Sequence, residues 1–267
     1  MKLPVQIRFG LTGILLLVAL AVAGPWLTPY APDAVDLHAI ARAPSTTHWL
    51  GTDELGRDLM SRLLSAARIS LMIGFLSALG AGVIGVTVGG LSGFCGAWVD
   101  EILMRITEVF QTIPLLPLTL ALGVIFQPGI GSVILIIGLM GWMETARVTR
   151  SGFLSLRDSA FVEAARSAGA GVPRIVVRHL IPNVSGQIAV ATTLGVGRAI
   201  IVESGMSFFG VGVQPPVASW GNMLYGAQSS MTTQPWLAVA PGVLILITVV
   251  AVNFAGDGLS DLFQRRG

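Results

Sequence analysis

The residues of this chain able to do chemistry concentrate in one polar island, Glu144 to Pro182, set between long apolar runs. It carries Glu163-Ala164-Ala165, Gly169 and Pro182, with the arginines Arg147, Arg150, Arg157, Arg166, Arg174 and Arg178, on a chain with 16 basic residues in all. Guanidinium groups and a carboxylate presented together make charge-assisted hydrogen bonds, which is docking chemistry and not covalent chemistry. Enzyme constellations are missing from the sequence. The only lysine is Lys2, so no phosphate-binding glycine loop can be completed, and ATP hydrolysis by this chain is excluded. His38, His48 and His179 lack metal-ligand spacing, no serine sits in a Gly-x-Ser-x-Gly elbow, and the single Cys95 rules out a disulfide framework or cysteine cluster. An intramembrane hydrolase built on His179 or Glu203 is the residual enzyme reading.

The elements that must hold the island are membrane helices. Hydrophobic residues make up 53% and charged residues 11% of the 267 positions, far below the quarter charged that is usual in soluble domains. Phe9 to Leu27 reads as a first span, retained as an anchor; Ala21-Val22-Ala23 would be the cleavage site in the alternative reading as a signal peptide. Either way the following segment, Thr28 to Arg68, lies outside. Leu55, Leu59, Leu63, Leu64 and Ala67 then recur at helical spacing, predicting an amphipathic helix on the outer membrane surface capped by Thr52 or Asp53. Ile69 to Val99 is an uncharged span in which Ala81, Gly85, Gly89 and Gly93 fall on one face, a surface for close helix packing.

Asp100, Glu101, Arg105 and Glu108 mark a short return through an aqueous boundary, and the apolar stretch Val109 to Met143 is too long for one crossing. Gln127-Pro128-Gly129 divides it. A fifth segment runs from Val184 to about Ser204, an ordered non-helical loop follows through Gly210, Gly212, Pro215, Pro216, Trp220 and Gly221, and a last span covers Trp236 to Ala255. The expected fold is an all-α integral membrane protein of six transmembrane helices. With the N-terminus cytoplasmic, Lys2, Arg8, Arg105, the island's arginines, Arg265 and Arg266 lie inside; Arg42, Arg57, Arg62 and Arg68 lie outside. That bias places the island in the cytoplasm.

Within the island, Ser159 to Ala168 is helix material, Gly169-Ala170-Gly171 breaks it, and Pro173 can open a second helix to Ile181. Ala164 and Ala165 permit close approach by a partner, while Glu163 and the arginines supply charge; a solvated loop without a partner has the same composition. Arg198 and Glu203 are ionisable residues inside a span, about 140° apart on the helix, so each needs a different neighbour. At least one is expected to face a translocation pathway or a companion subunit, against local pairing of Arg198 and a boundary position for Glu203.

Glu163-Ala164-Ala165, Gly169 and Pro182 together resemble the EAA loop of bacterial ABC importer permeases, with His179 and Ile181 standing where that pattern often has isoleucine and leucine. Leu50-Gly51-Thr52-Asp53-Glu54-Leu55-Gly56-Arg57-Asp58, Ser207 to Pro216, Trp220-Gly221 and Asn253 to Gly258 resemble the second permease of the dipeptide, oligopeptide and nickel branch. The resemblance implies a type I importer permease fold. It implies an ATPase-coupling loop on Glu163, Ala164, Ala165, Arg166, Gly169, Arg174 and Pro182, and an external family motif on Gly51, Thr52, Asp53, Gly56, Arg57 and Asp58. Arg198 and Glu203 stand as pathway or interface candidates.

Expected boundaries are 1–28 for the tail and first span, 29–68 for the external loop with its interfacial helix, 69–257 for the permease core with the loop at about 150–183, and 258–267 for a cytoplasmic tail. Implied partners are a homologous second permease, two ATPase subunits that bind ATP and Mg²⁺, and a periplasmic or lipid-anchored substrate-binding protein; neither a cofactor of its own nor nucleic acid is expected. The location is the bacterial inner membrane, multi-pass, with both termini cytoplasmic. The substrate would be a di- or oligopeptide, nickel or a metal chelate. A self-contained secondary transporter or channel subunit, or a purely structural membrane subunit, is the rival class.

Overall fold

Missing side chains decide how the central helices meet. A Cβ on Gly89 would run into the Ala146 carbonyl, one on Gly85 would lie 2.7 Å from the Trp142 carbonyl, and one on Gly93 would lie 2.8 Å from the Arg150 carbonyl. The small-residue face expected between Ala81 and Gly93 is therefore a packing face. It brings α2, Leu59–Cys95, against α6, Met143–Leu156, at backbone distance.

The computed structural model describes residues 4–264, which form eleven α-helices and, among the described residues, no β-strand. The others are α1 Val5–Leu27, α3 Ala97–Thr112, α4 Leu115–Ile125, α5 Ile130–Met140, α7 Ala160–Ser167, α8 Val172–Ile175, α9 Ile181–Phe208, α10 Trp220–Gly226 and α11 Trp236–Gln264. Five helical stretches are long and apolar enough to cross a membrane: Val5–Gly24, Leu59–Cys95, Ile130–Leu156, Val172–Phe208 and Trp236–Phe263. The pair α3 and α4, bent by 90° at Ile113 and Pro114, makes a sixth if counted as one. Its ends support counting it so, since Gly96 lies beside Arg157 near the island while Gly123 lies beside Met206 and Val211 at the other end.

Antiparallel packing fixes the ends of the bundle. Gly10 of α1 abuts Ala255 of α11, and Gly258 abuts Ile7, so the first helix begins where the last one finishes. Gly186, just after the island, packs on Phe263 at that same end. At the opposite end Gly24 meets Leu64, and Leu59, Leu63, Trp220, Met223 and Leu237 share one apolar cluster. Lys2, Arg265 and Arg266 lie outside the described residues.

Four expectations change. Leu59, Leu63, Leu64 and Ala67 belong to no separate interfacial helix; they are the buried first turns of α2, covered by Trp220, Leu237 and Ala21, whereas Leu55 is exposed in the loop before it. The cap is Asp58, whose Oδ2 accepts from Ser61 N at 2.8 Å, because Thr52 and Asp53 are occupied within the loop. The segment between α9 and α11, expected to be non-helical, contains α10, which opens with a reciprocal capping box between Ser219 and Asn222. No return loop holds Asp100 to Glu108, which lie on α3 immediately after Gly96. The break at 126–129 stands as expected: α4 ends at Ile125 and α5 begins at Ile130.

Candidate functional site

The island divides into the end of a long apolar helical stretch and a short helical unit that projects from it. Glu144 to Leu156 remain helical as α6, so the projecting part starts at Arg157. Ser159 opens α7, with its hydroxyl donating to Leu156 O at 2.6 Å. α7 presents two faces. Val162 is fully buried with Phe153, Ile175, Leu180 and Val184, and Ala165 packs beside them; Glu163, Ala164 and Arg166 are exposed. A Schellman turn ends the helix: Ala170 N donates to Ala165 O at 3.0 Å and Gly169 N to Arg166 O at 2.9 Å. Gly169 has φ +80°, a left-handed conformation that glycine adopts without steric cost, and no atom crowds the place of a Cβ.

The second helix of the island does not stop at Ile181. Pro173 opens α8 as expected, a single π turn over Val176–Leu180 follows, and α9 continues from Ile181, so 172–208 is one helical run. Pro182 is exposed where the π turn runs into α9; it has no N–H to donate to the turn before it, and Ile181 N donates to Val176 O in the π pattern. His179 lies 6.5 Å from the Phe161 ring, joining the π turn to α7, and Ile181 packs on the Val162 cluster.

Most of the island's arginines serve the chain itself. Arg150 binds Asp100 through two nitrogens, Arg147 reaches Gln111 at 3.3 Å, Arg157 meets Asp158 at 3.2 Å, and Arg166 lies over the Phe94 ring at 5.7 Å from its centroid. Arg174 and Arg178 are exposed and make no ion pair among the described residues. The charged side chains of the island that make no ion pair among the described residues are therefore Glu163, Arg174 and Arg178, with Arg166 engaged by the Phe94 ring.

Arg198 and Glu203 have separate environments, as their helical spacing requires. Arg198 pairs with Glu144 of α6, both side chains about half exposed at 50% and 49%, on the wall of a cavity of about 230 Å³ between α2, α3, α4, α5, α6 and α9. Glu203 is fully buried. It accepts from Ser207 Oγ at 2.8 Å and Ser70 Oγ at 3.3 Å, with Ser204 and Ser219 alongside. Ser70 Oγ also accepts from Trp220 N at 3.1 Å, so this cluster fastens the outer loop to α2. Ser204 and Ser207 stand one and four residues after Glu203 on α9, a spacing the sequence shows, whereas Glu144, Ser70 and Ser219 come from elements far apart in sequence and have no spacing signal.

The outer motif builds one loop. Asp53 accepts from Leu55 N and Arg57 N at 2.9 and 3.0 Å and pairs with Arg57 Nε at 2.7 Å. Thr52 donates to Ala39 O and accepts from Arg42 N, and Asp58 accepts from Ser61 and pairs with His48 Nδ1 at 2.9 Å. Gly56, at φ +72°, is pressed against the Asp36 carbonyl, where a Cβ would collide. Gly51 closes the same loop over Arg42 O. The residues around Glu163 and the 51–58 motif thus stand at opposite ends of the bundle, with Arg198 between them.

Residues 85–266 match the family described as "Binding-protein-dependent transport system inner membrane component", and residues 8–44 match the N-terminal TM domain of oligopeptide transport permease C. The chain is 40% identical over 266 residues to a putative peptide permease of Brucella suis, covering 98% of this chain and 88% of that one. It is 40% identical over 258 residues to the dipeptide transport system permease protein DppC of Bacillus subtilis, covering 96% and 81%. Identity is 39% over 256 residues to the nickel transport system permease protein NikC of Escherichia coli, covering 96% and 92%. Among solved structures, the inward-facing MetNI methionine ABC transporter superposes with TM-score 0.62 at 21% identity, over 78% of this chain and 98% of that chain. An amino acid ABC transporter gives 0.56 at 19%, over 77% and 94%.

Proposed function

This chain belongs to the family of binding-protein-dependent transport system inner membrane components and is an ABC importer permease; from that premise we propose how it works. α7 docks on a separate cytoplasmic ATPase subunit through Glu163, Ala164 and Gly169, with Arg166, Arg174 and Pro182 at the edge of the contact. The observation that carries this reading is the two-sided α7: one face exposed, the other locked through Val162 onto Phe153 of α6 and onto Ile175, Leu180 and Val184 on the run into α9. A displacement of α7 must move the helices that hold Glu144 and Arg198. Closure of the ATPases shifts the pore only if they bind its two states differently, and the packing of α7 on α6 and α9 is the link through which such a difference would reach the pore.

A homologous second permease completes the pathway, two ATPase subunits hold ATP and Mg²⁺, and a periplasmic or lipid-anchored binding protein delivers the substrate at the end bearing 28–58. Both termini are cytoplasmic in this arrangement, because the start of α1 and the end of α11 lie at the island's end and the island is the arginine-rich side. This chain does not hydrolyse ATP itself: its one lysine, Lys2, completes no phosphate-binding loop. The substrate is a di- or oligopeptide, nickel or a metal chelate, and the chiefly apolar cavity wall favours a small peptide.

Proteoliposomes holding this chain, the second permease and the ATPases, supplied with the binding protein and a dipeptide outside, test the proposal. Uptake should require internal ATP and each of the subunits. Uptake by this chain without ATPases would make it a self-contained transporter instead.

A further inference from the structure

Among the described residues, the only charged groups on the wall of the 230 Å³ cavity are Arg198 and Glu144. The rest is chiefly apolar, including Ala81, Phe110, Met140, Met143 and Val202. Arg198 stands ten residues before the end of α9 at Phe208, about 15 Å along the helix and so near the bilayer midplane. Charges at that depth are costly unless paired or turned to water. Here they are both, because the pair closes on itself yet each partner is half exposed to the cavity. The cavity is smaller than most complete ligand pockets, as suits one wall of a site that a second subunit closes.

A neutral internal pair restricts what can replace it. A lone anion or cation that captured one partner would strand the other against apolar walls, and an unpaired charge there is expensive. A ligand bearing one carboxylate and one ammonium can satisfy both partners at once. We propose that the Arg198–Glu144 pair opens to receive the zwitterionic backbone of a small peptide, its carboxylate on Arg198 and its ammonium on Glu144. The apolar wall meets peptide side chains without directional demands, so the charged ends are read and the side chains are tolerated. The bond within the pair re-forms as the peptide leaves, which keeps occupancy brief. This inference rests on the importer reading above and adds the residues that contact the cargo.

Equilibrium binding of labelled alanylalanine to the purified complex of both permeases and ATPases, with the binding protein omitted, is the direct test. The probes are the free dipeptide, its N-acetyl form, its C-terminal amide and Ni²⁺ alone. Free dipeptide should bind about tenfold or more better than either blocked form, the scale of one charge-assisted hydrogen bond, and Ni²⁺ should not compete. Glu144→Gln should raise the N-acetyl to free ratio, and Arg198→Gln should raise the amide to free ratio. The double exchange of Glu144→Arg with Arg198→Glu should restore preference for the free peptide; it keeps the pair intact should either single variant fail to assemble. Equal losses for every probe, unchanged binding in all variants, competition by Ni²⁺, or no dipeptide binding by the wild-type complex would each overturn the inference. ATP-driven dipeptide uptake by the full importer is scored in parallel, so that the transport reading can stand when this site falls.

Discussion

Arg150 holds Asp100 in a two-point grip, with Nε and Nη2 donating to the two carboxylate oxygens at 2.5 and 2.6 Å while Ser92 Oγ donates to the same group. The contact joins α6, α3 and α2 just before the chain leaves the membrane for α7. Arg150→Gln should lower the stability of the solubilised permease by about 1–3 kcal/mol, because it leaves a partly buried carboxylate short of its bidentate donor. Thermal unfolding in detergent reads this. Arg105→Gln, which removes an exposed pair with Glu108, should leave the transition within about 0.5 kcal/mol.

The contact of Gly89 with Ala146 leaves no room for a side chain. Gly89→Val should disrupt assembly or cost about 1–3 kcal/mol through overpacking. Gly80→Ala is the control, since nothing lies within 4 Å of a Cβ there. Fluorescence size-exclusion profiles of the two variants should separate cleanly.

Glu203 is caged by hydroxyls, so Glu203→Gln keeps most of its hydrogen bonds and should be tolerated. Glu203→Ala leaves a cavity and unpaired serines, at about 2–4 kcal/mol. The buried Trp220, fastened through Ser70, should become quenchable in the alanine variant; an unchanged emission spectrum would argue against the cage as the anchor of the outer loop.

What could be read before any coordinates depended on whether the signal was local. The glycine face of α2 and the break at 127–129 were legible because period and turn chemistry act within a few residues. The Asp58 cap was not, since three acceptors stand close together and only the loop's own hydrogen bonds decide that Thr52 and Asp53 are occupied. Glu144 gave no hint of Arg198, which lies on another helix. The six island arginines looked alike in sequence; packing engaged Arg150, partly buried, and Arg147, still exposed, with α3 and left Arg174 and Arg178 without an ion pair among the described residues. The π turn that runs the island into α9 had no sequence signal, because helix propensity does not distinguish it from an ordinary turn.

Docking of the ATPase on α7 is tested most directly by pairing Glu163→Ala with Gly169→Val in the reconstituted importer. Valine is strained at the left-handed φ of Gly169, so the turn after α7 should deform while the bundle, which makes no contact there, stays intact. The ATPases should then fail to co-purify with an otherwise normal permease pair, and ATP-dependent uptake should be lost. A double variant that retains its ATPases and imports at the wild-type rate would contradict the coupling role of this loop.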